Sequence, residues 1–272
     1  MDVAIVIPCC TRTDLLQQAL EPLKEFSVFV VNDGELFIPE SANVHVVKTS
    51  NPRSGFARAA NLGLSKAQQE GFSWVLLLND DAVISALDLH QMISLITPQT
   101  GAIGPVVWDA NKVVTAGISV SFWGRIKNNH LQPEQSHVVD ALSGACLLLP
   151  SWTRFDVRFP HGFEDIAMCI QLANMGLSSV VCATAKCFHH QGATLAQKSS
   201  EKIRHSLYGQ ALFFKKRRFF PLIVGLTVLQ LLKERSSLSR FNGAYQGFRD
   251  VIYRNSMAVR MASSSPGSNN IK

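Results

Sequence analysis

Trp74-Val75-Leu76-Leu77-Leu78-Asn79-Asp80-Asp81 is the stretch on which the fold turns. Its five apolar residues have no polar alternation, which suits a short strand covered on both faces, as in a parallel sheet. The run stops abruptly in two acids. In open α/β sheets ligands bind beyond the carboxyl ends of the strands, so these carboxylates would stand beside the ligand crevice. Carboxylate oxygens together with substrate phosphates are the usual surroundings of Mg²⁺ or Mn²⁺. A plain Asx turn explains the same residues without a ligand, because Asn and Asp are favoured wherever a strand ends.

Working outward, similar apolar runs fall at 3–7, 28–31, 44–47 and 102–107, and helical spacing of apolar residues at 15–26, 55–70 and 87–96. This alternation predicts an α/β fold, a doubly wound, mostly parallel sheet. The polar clusters sit where the strands end: 8–12, 32–34, 51–55 and 79–81. Asp33 in Val30-Val31-Asn32-Asp33-Gly34 could accept a hydrogen bond from a base or ribose, or serve only the turn that Gly34 permits. The segment from Asn51 to Asn61 opens a helix, with Ser54 as expected N-cap and Arg53 and Arg58 near the helix N-terminus, where phosphate is favoured. A capped surface helix with solvated arginines is the competing reading.

Beyond residue 107 the pattern is mixed: a β-ribbon at 113–122, a buried strand at 141–149, a helix at 164–175 and a strand at 179–187. Glu164 and Asp165 open that helix. They either complement its dipole or supply a general base, a weak one but ionised and well positioned. His189 and His190 end the last strand, as metal or diphosphate ligands or as structural histidines. From 196 onwards the pattern is helical, and 263–272 has the composition of a disordered tail.

Composition narrows the function classes. Of the 272 residues, 47% are hydrophobic and 17% charged, enough for a large core. The net charge is +6, and its basic run, Lys215-Lys216-Arg217-Arg218, has neither interleaved aromatics nor a DNA-binding motif, which argues against nucleic acid. The six cysteines form no CxxC pair and read as reduced and buried, consistent with the cytoplasm. The longest apolar stretch, 219–232, falls short of the roughly 20 residues a span requires. Beside the basic run it fits either peripheral contact with the inner face of a membrane or packing on the catalytic domain or a second subunit, as in a homodimer.

Taken together, these segments resemble the family 2 glycosyltransferases in motif, order and spacing over roughly 3–195. Ile7-Pro8 is similar to that family's nucleotide-loop entry, with Thr11 and Arg12 following, and Val31-Asn32-Asp33-Gly34 to its base-contacting segment. Asn51, Gly55, Ala57 and Asn61 resemble its N-x-G-x-A-x-x-x-N helix, widened here by Pro52 and Arg53. Leu77-Leu78-Asn79-Asp80-Asp81 stands where the family has its D-x-D metal motif, with Asn79 replacing the first acid. Leu142-Ser143-Gly144-Ala145-Cys146 resembles the acceptor-side strand. Gly162-Phe163-Glu164-Asp165 resembles the E-D motif, here with Ala167 where another acid is usual. Phe188-His189-His190-Gln191-Gly192-Ala193-Thr194 resembles the closing segment. The likeness is greatest to the bacterial rhamnosyltransferase-like subgroup.

The resemblance implies a GT-A fold: a Rossmann-like, mostly parallel central sheet with a mixed acceptor-side half and C-terminal helices. Its catalytic domain would span 1–195, with a nucleotide half to about 107 and an acceptor half beyond, then a helical extension at 196–262. It implies an inverting transferase moving a sugar from a UDP- or dTDP-linked donor to a glycan or lipid-linked acceptor, in cell-surface polysaccharide synthesis. Asp165 would be the base, with Glu164 beside it. Asp81 and His189 would hold Mg²⁺ or Mn²⁺, and Gly144 and Ala145 would line the acceptor side. Pro8, Thr11, Arg12, Asp33, Gly55, Arg58, Asn61, Asn79 and Asp80 would contact the nucleotide sugar. Two other readings remain: a non-catalytic GT-A scaffold, suggested by Asn79 and Ala167, and a sugar-phosphate nucleotidyltransferase, which would need a glycine-rich loop absent from 8–12.

Overall fold

The apolar runs do become strands. The computed structural model describes residues 2–189 except 12, 122–125 and 160–161, and also residue 209. The chain divides into two units, Met1–Thr194 and Leu195–Lys272. Arg12, His190, Gly192, Thr194, the basic and apolar segment at 215–232, the extension at 196–262 apart from residue 209, and the tail at 263–272 lie outside the described residues. None of the described helices is long and apolar enough to cross a membrane.

The strands are β1 Val3–Cys9, β2 Ser27–Asn32, β3 Val44–Lys48, β4 Trp74–Leu78, β5 Ala82–Ile84, β6 Thr100–Asp109, β7 Lys112–Thr115, β8 Ile118–Val120, β9 Ile126–Asn128, β10 His137–Val139, β11 Cys146–Pro150 and β12 Ser178–His189. The helices are α1 Thr13–Leu20, α2 Phe56–Gln69, α3 Ala86–Ile93 and α4 Glu164–Asn174. One sheet runs in the order β10-β12-β6-β11-β4-β1-β2-β3, with β5 on β12 and β7 on β6. The strands β1, β2, β3 and β4 are mutually parallel. Between β4 and β6 lies β11, antiparallel to both, and β12 runs parallel to β6. The architecture is the expected α/β one, with a central, mostly parallel sheet and a mixed second half.

Every residue of β4 and β11 is buried, which is why their sequences lack alternation. Ile5, Ile7, Leu76, Leu78, Ile103 and Leu148 belong to one apolar cluster. Helix α2 packs against β1 and β2 through Gly63, where a Cβ would lie 2.3 Å from Val6 Cγ1 and 2.9 Å from Val31 Cγ2. Only a glycine lets the helix approach this closely.

Several expected boundaries move. The first helix ends at Leu20 rather than 26, because Pro22 lacks the N–H an α-helix needs and the chain tightens into a 3₁₀ turn over Glu21–Leu23. The helix expected over 87–96 stops at Ile93. The strand expected over 141–149 begins only at Cys146; the preceding residues form a loop anchored by one bridge, Ile118 to Ala141. Pro105 sits inside β6, and the β12 register jumps from Cys182 opposite Pro105 to Lys186 opposite Val106. A proline cannot donate to the ladder, so a bulge at that point is its natural consequence.

Candidate active site

Asp33 directly follows β2 and is nearly fully buried. Its Oδ1 accepts hydrogen bonds from Thr49 Oγ1 (2.9 Å), the Ser54 amide (2.9 Å) and Ser54 Oγ (2.7 Å). Its Oδ2 accepts one from the Gly55 amide at 3.1 Å. Oδ1 is therefore saturated, and only Oδ2 keeps capacity for an incoming donor. The same bonds overturn the expectation for Ser54. Helix α2 has Gly55, at φ +98°, as its N-cap and carries no side-chain cap, because the Ser54 hydroxyl is spent on Asp33. That leaves a positive helix end beside the exposed Arg53 and Arg58.

The loop after β1 closes over this region. A Cβ at Gly34 would meet the Cys10 carbonyl oxygen at 2.2 Å, so no side chain fits there. Asn32 shapes the turn, accepting from the Gly34 amide at 3.1 Å and donating to the Leu36 carbonyl at 2.7 Å. Pro8 lies within β1 opposite Val31, and Thr11 is exposed just past the strand. Cys10 was not anticipated as a site residue. Its thiol donates to the Asp33 carbonyl at 3.6 Å, and its pKa is raised by burial, then by Asp33 and Asp80, against a lowering by Arg53.

Asp80 reaches back to the same loop. Burial raises its carboxyl pKa and Asp81 adds to that, while hydrogen bonds from the Cys9 thiol and the Cys10 amide oppose it. Asn79 holds the neighbouring strand: its amide donates to the Ala145 carbonyl at 3.0 Å, and its carbonyl accepts from Ala82.

Asp81 is buried, at 7% exposure. The antiparallel pairing of β5 with β12 sets Ala82 opposite His189, which brings His189 Nε2 to 3.0 Å from Asp81 Oδ1. The two lack hydrogen-bond alignment, and Oδ1 has no hydrogen-bond partner. A buried carboxylate oxygen with no donor is costly unless a cation meets it. Among the described residues no group of three or more His, Cys, Asp or Glu is gathered as a metal cage. A carboxylate and an imidazole would nonetheless suit a cation such as Mn²⁺, which completes its shell with water and substrate phosphate. The donor set fits such a cation.

The segment 143–145 carries this edge of the sheet to the acidic pair. Gly144 donates its amide to Asp165 Oδ2 at 2.8 Å, and the Ile166 amide donates to Oδ1 at 2.8 Å. A Cβ at Gly144 would lie 3.3 Å from Asp165 Cβ and Oδ2, tight enough to disturb that contact. Although Asp165 keeps some exposure, desolvation raises its pKa against the lowering by these amides. It is thus a stronger base than a dipole-stabilised surface acid. Glu164 is buried at 7% exposure. Burial, and secondarily Asp165, push its pKa up to about 8, and its Oε2 has no hydrogen-bond partner. Near neutrality Glu164 therefore keeps its proton, beside an Asp165 carboxyl whose two oxygens each accept from a backbone amide. Helix α4 is entered through Gly162 at φ +89° and Phe163 at φ +71°, a left-handed conformation that costs a bulky residue about 1–3 kcal/mol.

This division predicts a pH effect on stability. A folded pKa of about 8 against an ordinary 4.5 means that the folded protein holds the extra proton. Glu164's contribution to stability is complete below about 4.5, declines as pH rises and levels off above about 8. Thermal midpoints across that interval should fall less steeply for Glu164→Gln than for the parent chain. Parallel curves would remove the assignment.

Asn61 does not stand free for a ligand. Its side chain accepts from the Phe155 amide at 2.7 Å and donates to the Phe155 carbonyl at 2.8 Å. It thereby clamps the loop after β11 to α2, aided by the edge-on contact of Phe56 with Phe155. The partners lie 94 positions apart in the chain, and no local sequence signal could have paired them.

Comparison with known proteins bears on the family and the fold. The family model described as Glycosyl transferase family 2 matches residues 4–149, more than half of the chain. No curated protein matches it. A crystal structure of GalNAc-T7 with UDP, GalNAc and Mn²⁺ superposes with a TM-score of 0.62 at 12% identity, covering 98% of this chain and 58% of that one. This chain therefore spans little more than half the length of that protein. Residues 1–349 of S. aureus TarS match at a TM-score of 0.54 and 16% identity, covering 89% of this chain and 74% of that one. The same protein in complex with UDP gives 0.53 at 15% identity. At these identities the likeness is one of fold.

Proposed function

Because this chain belongs to glycosyl transferase family 2, we propose that it transfers a sugar from a nucleoside diphosphate donor to an acceptor hydroxyl with inversion, and that Asp165 is the base. One observation carries the reading. The carboxyl ends of β1, β2, β4 and β12 and the start of β11 gather Asp33, the uncapped α2 terminus, Asp80, Asp81, His189 and the amide-held Asp165 along one edge of the sheet. An anionic diphosphate suits the helix end with Arg53 and Arg58, and Asp33 Oδ2 remains able to accept from a base or ribose.

Asp81 and His189 would hold the divalent cation. An imidazole nitrogen is a poor ligand for Mg²⁺, which favours Mn²⁺ here. When bound, the cation supplies positive charge to offset that on the leaving diphosphate. The protein's own residues do the remainder. Gly144 and Ile166 orient the Asp165 carboxylate, and its raised pKa lets it take the acceptor proton as the hydroxyl attacks the anomeric carbon. Glu164, protonated near neutrality with a pKa of about 8, adds no second charge beside Asp165.

Within this reading the donor is UDP- or dTDP-linked, and the protein belongs with the rhamnosyltransferase-like enzymes of cell-surface glycan synthesis on the cytoplasmic side. Its motif order supports that subgroup. Membrane contact and pairing through the C-terminal residues remain part of the proposal, carried by sequence alone. Incubating the protein with a panel of UDP- and dTDP-sugars and Mn²⁺ tests the core of it. Slow release of the nucleoside diphosphate from one donor is the expected result. Metal-dependent nucleotide binding with no hydrolysis of any donor would favour the non-catalytic scaffold.

A further inference from the structure

Residues 151–163 connect Pro150, which ends β11, to Glu164, which opens α4, and no helix or strand is described among them. A connection of about a dozen residues does not by itself fix the start of the helix it leads to. Its last step is also strained, because Gly162 and Phe163 both take positive φ immediately before the acidic pair. Such a conformation persists only where the surroundings impose it. The element that holds the connection is α2. Phe155, 3% exposed, exchanges two hydrogen bonds with the Asn61 side chain at 2.7 and 2.8 Å, as one rung of a β-ladder would. Its ring meets that of Phe56 edge-on at 6.0 Å. About two helical turns beyond Asn61, Gln68 accepts from Arg154 Nη2 at 2.7 Å, while Nη1 of the same arginine donates to the Ser151 and Thr153 carbonyls.

Helix α2 thus has two separate attachments. Its N-terminus, the end that suits a diphosphate, is fixed by Asp33, which takes the Ser54 and Gly55 amides. Its middle, through Asn61, holds the chain that delivers Asp165. We propose that Asn61 is a positioning residue for Asp165: it lashes the β11–α4 connection to the helix that receives the donor, and so sets the base relative to the donor. The inference rests on the transferase reading above for what Asp165 does. Where Asp165 stands can be followed without turnover, because the Gly144 and Ile166 amides both donate to its carboxylate.

Asn61→Asp keeps an acceptor for the Phe155 amide but turns a second oxygen on the Phe155 carbonyl, releasing the tie with almost no change of shape. Amide hydrogen exchange in the full chain, with titration of UDP in the presence of Mn²⁺, reads the outcome. The Phe155 amide should exchange faster. The Gly144 and Ile166 amides should follow, by about tenfold or more beyond those of Ile5 and Leu76, which report global opening. UDP affinity should stay within about twofold of the parent's. Turnover of whichever donor the parent hydrolyses should fall about 10²-fold, the cost of a group misplaced by about 1 Å. Excess exchange confined to Phe155 overturns the proposal. So does a loss of UDP affinity with Gly144 unmoved, which would make Asn61 a donor ligand. Should Asn61→Asp fail to fold, Gln68→Ala loosens the same connection from an exposed position, and unchanged protection of Gly144 there overturns the proposal equally. A parent chain that neither binds UDP nor hydrolyses any donor ends the transferase reading, while the exchange rates still decide whether Asn61 holds Asp165 in place.

Discussion

Asp165→Asn should lower kcat by about 10²–10⁴-fold, the usual worth of a positioned general base, while leaving metal-dependent UDP binding intact. The substitution preserves shape but removes the lone pair that takes the proton. It also places an NH₂ group against the N–H of either Gly144 or Ile166, both of which now donate to the carboxylate at 2.8 Å. Facing two donors costs about 1–3 kcal/mol of stability, so the thermal midpoint must be followed beside turnover to separate misfolding from lost chemistry. The neighbouring carboxyl gives a second readout. Once Asp165 is neutral, its share of the upward push on Glu164 is gone, so residual activity that climbs with pH to a plateau below about 8 would mean that ionised Glu164 has taken over as base. Turnover close to the parent value at neutral pH would remove Asp165 from the mechanism.

How far the sequence foretold this site depends on whether each feature is local. The run at 74–78 is a strand because its five residues are all buried, and its uniform apolarity says so directly. The abrupt change to Asn79-Asp80-Asp81 likewise marks the strand end from composition alone. Antiparallel insertion of β11 beside β4 could not be read this way, since a strand buried on both faces looks the same in either direction. Ser54 illustrates a local rule losing to a distant partner: Ser before a helix predicts a cap, but Asp33, 21 positions earlier, takes both its amide and its hydroxyl. Asn61, expected from the resemblance to contact the nucleotide sugar, instead has its amide on a backbone segment that nothing local connects to it. The acidic pair shows the same limit in electrostatics. Two acids in a first helical turn suggest lowered pKa values, whereas burial, which only the tertiary structure reveals, moves both upward.

Asp81→Asn carries the second large effect, and it should act in opposite directions with and without ligand. In the metal-free protein Asp81 Oδ1 is buried without a hydrogen-bond donor, and His189 Nε2 at 3.0 Å is misaligned. Holding a carboxylate in that state opposes folding, so the neutral amide should leave the thermal midpoint unchanged or raise it. With Mn²⁺ and UDP present the order reverses. A ligand at about 100 times its Kd stabilises a protein by about 2.7 kcal/mol, and the parent chain should show a corresponding upward shift. The variant should lose most of it, because replacing even an outer-shell partner of a metal lowers affinity about 10–100-fold and Asp81 is argued to be a direct ligand. Calorimetric titration of UDP with and without Mn²⁺ measures the same loss without any demand for turnover. A variant that keeps the full Mn²⁺-dependent shift would mean that the cation, if bound, is held elsewhere, and the unpartnered oxygen of Asp81 would then need a different account.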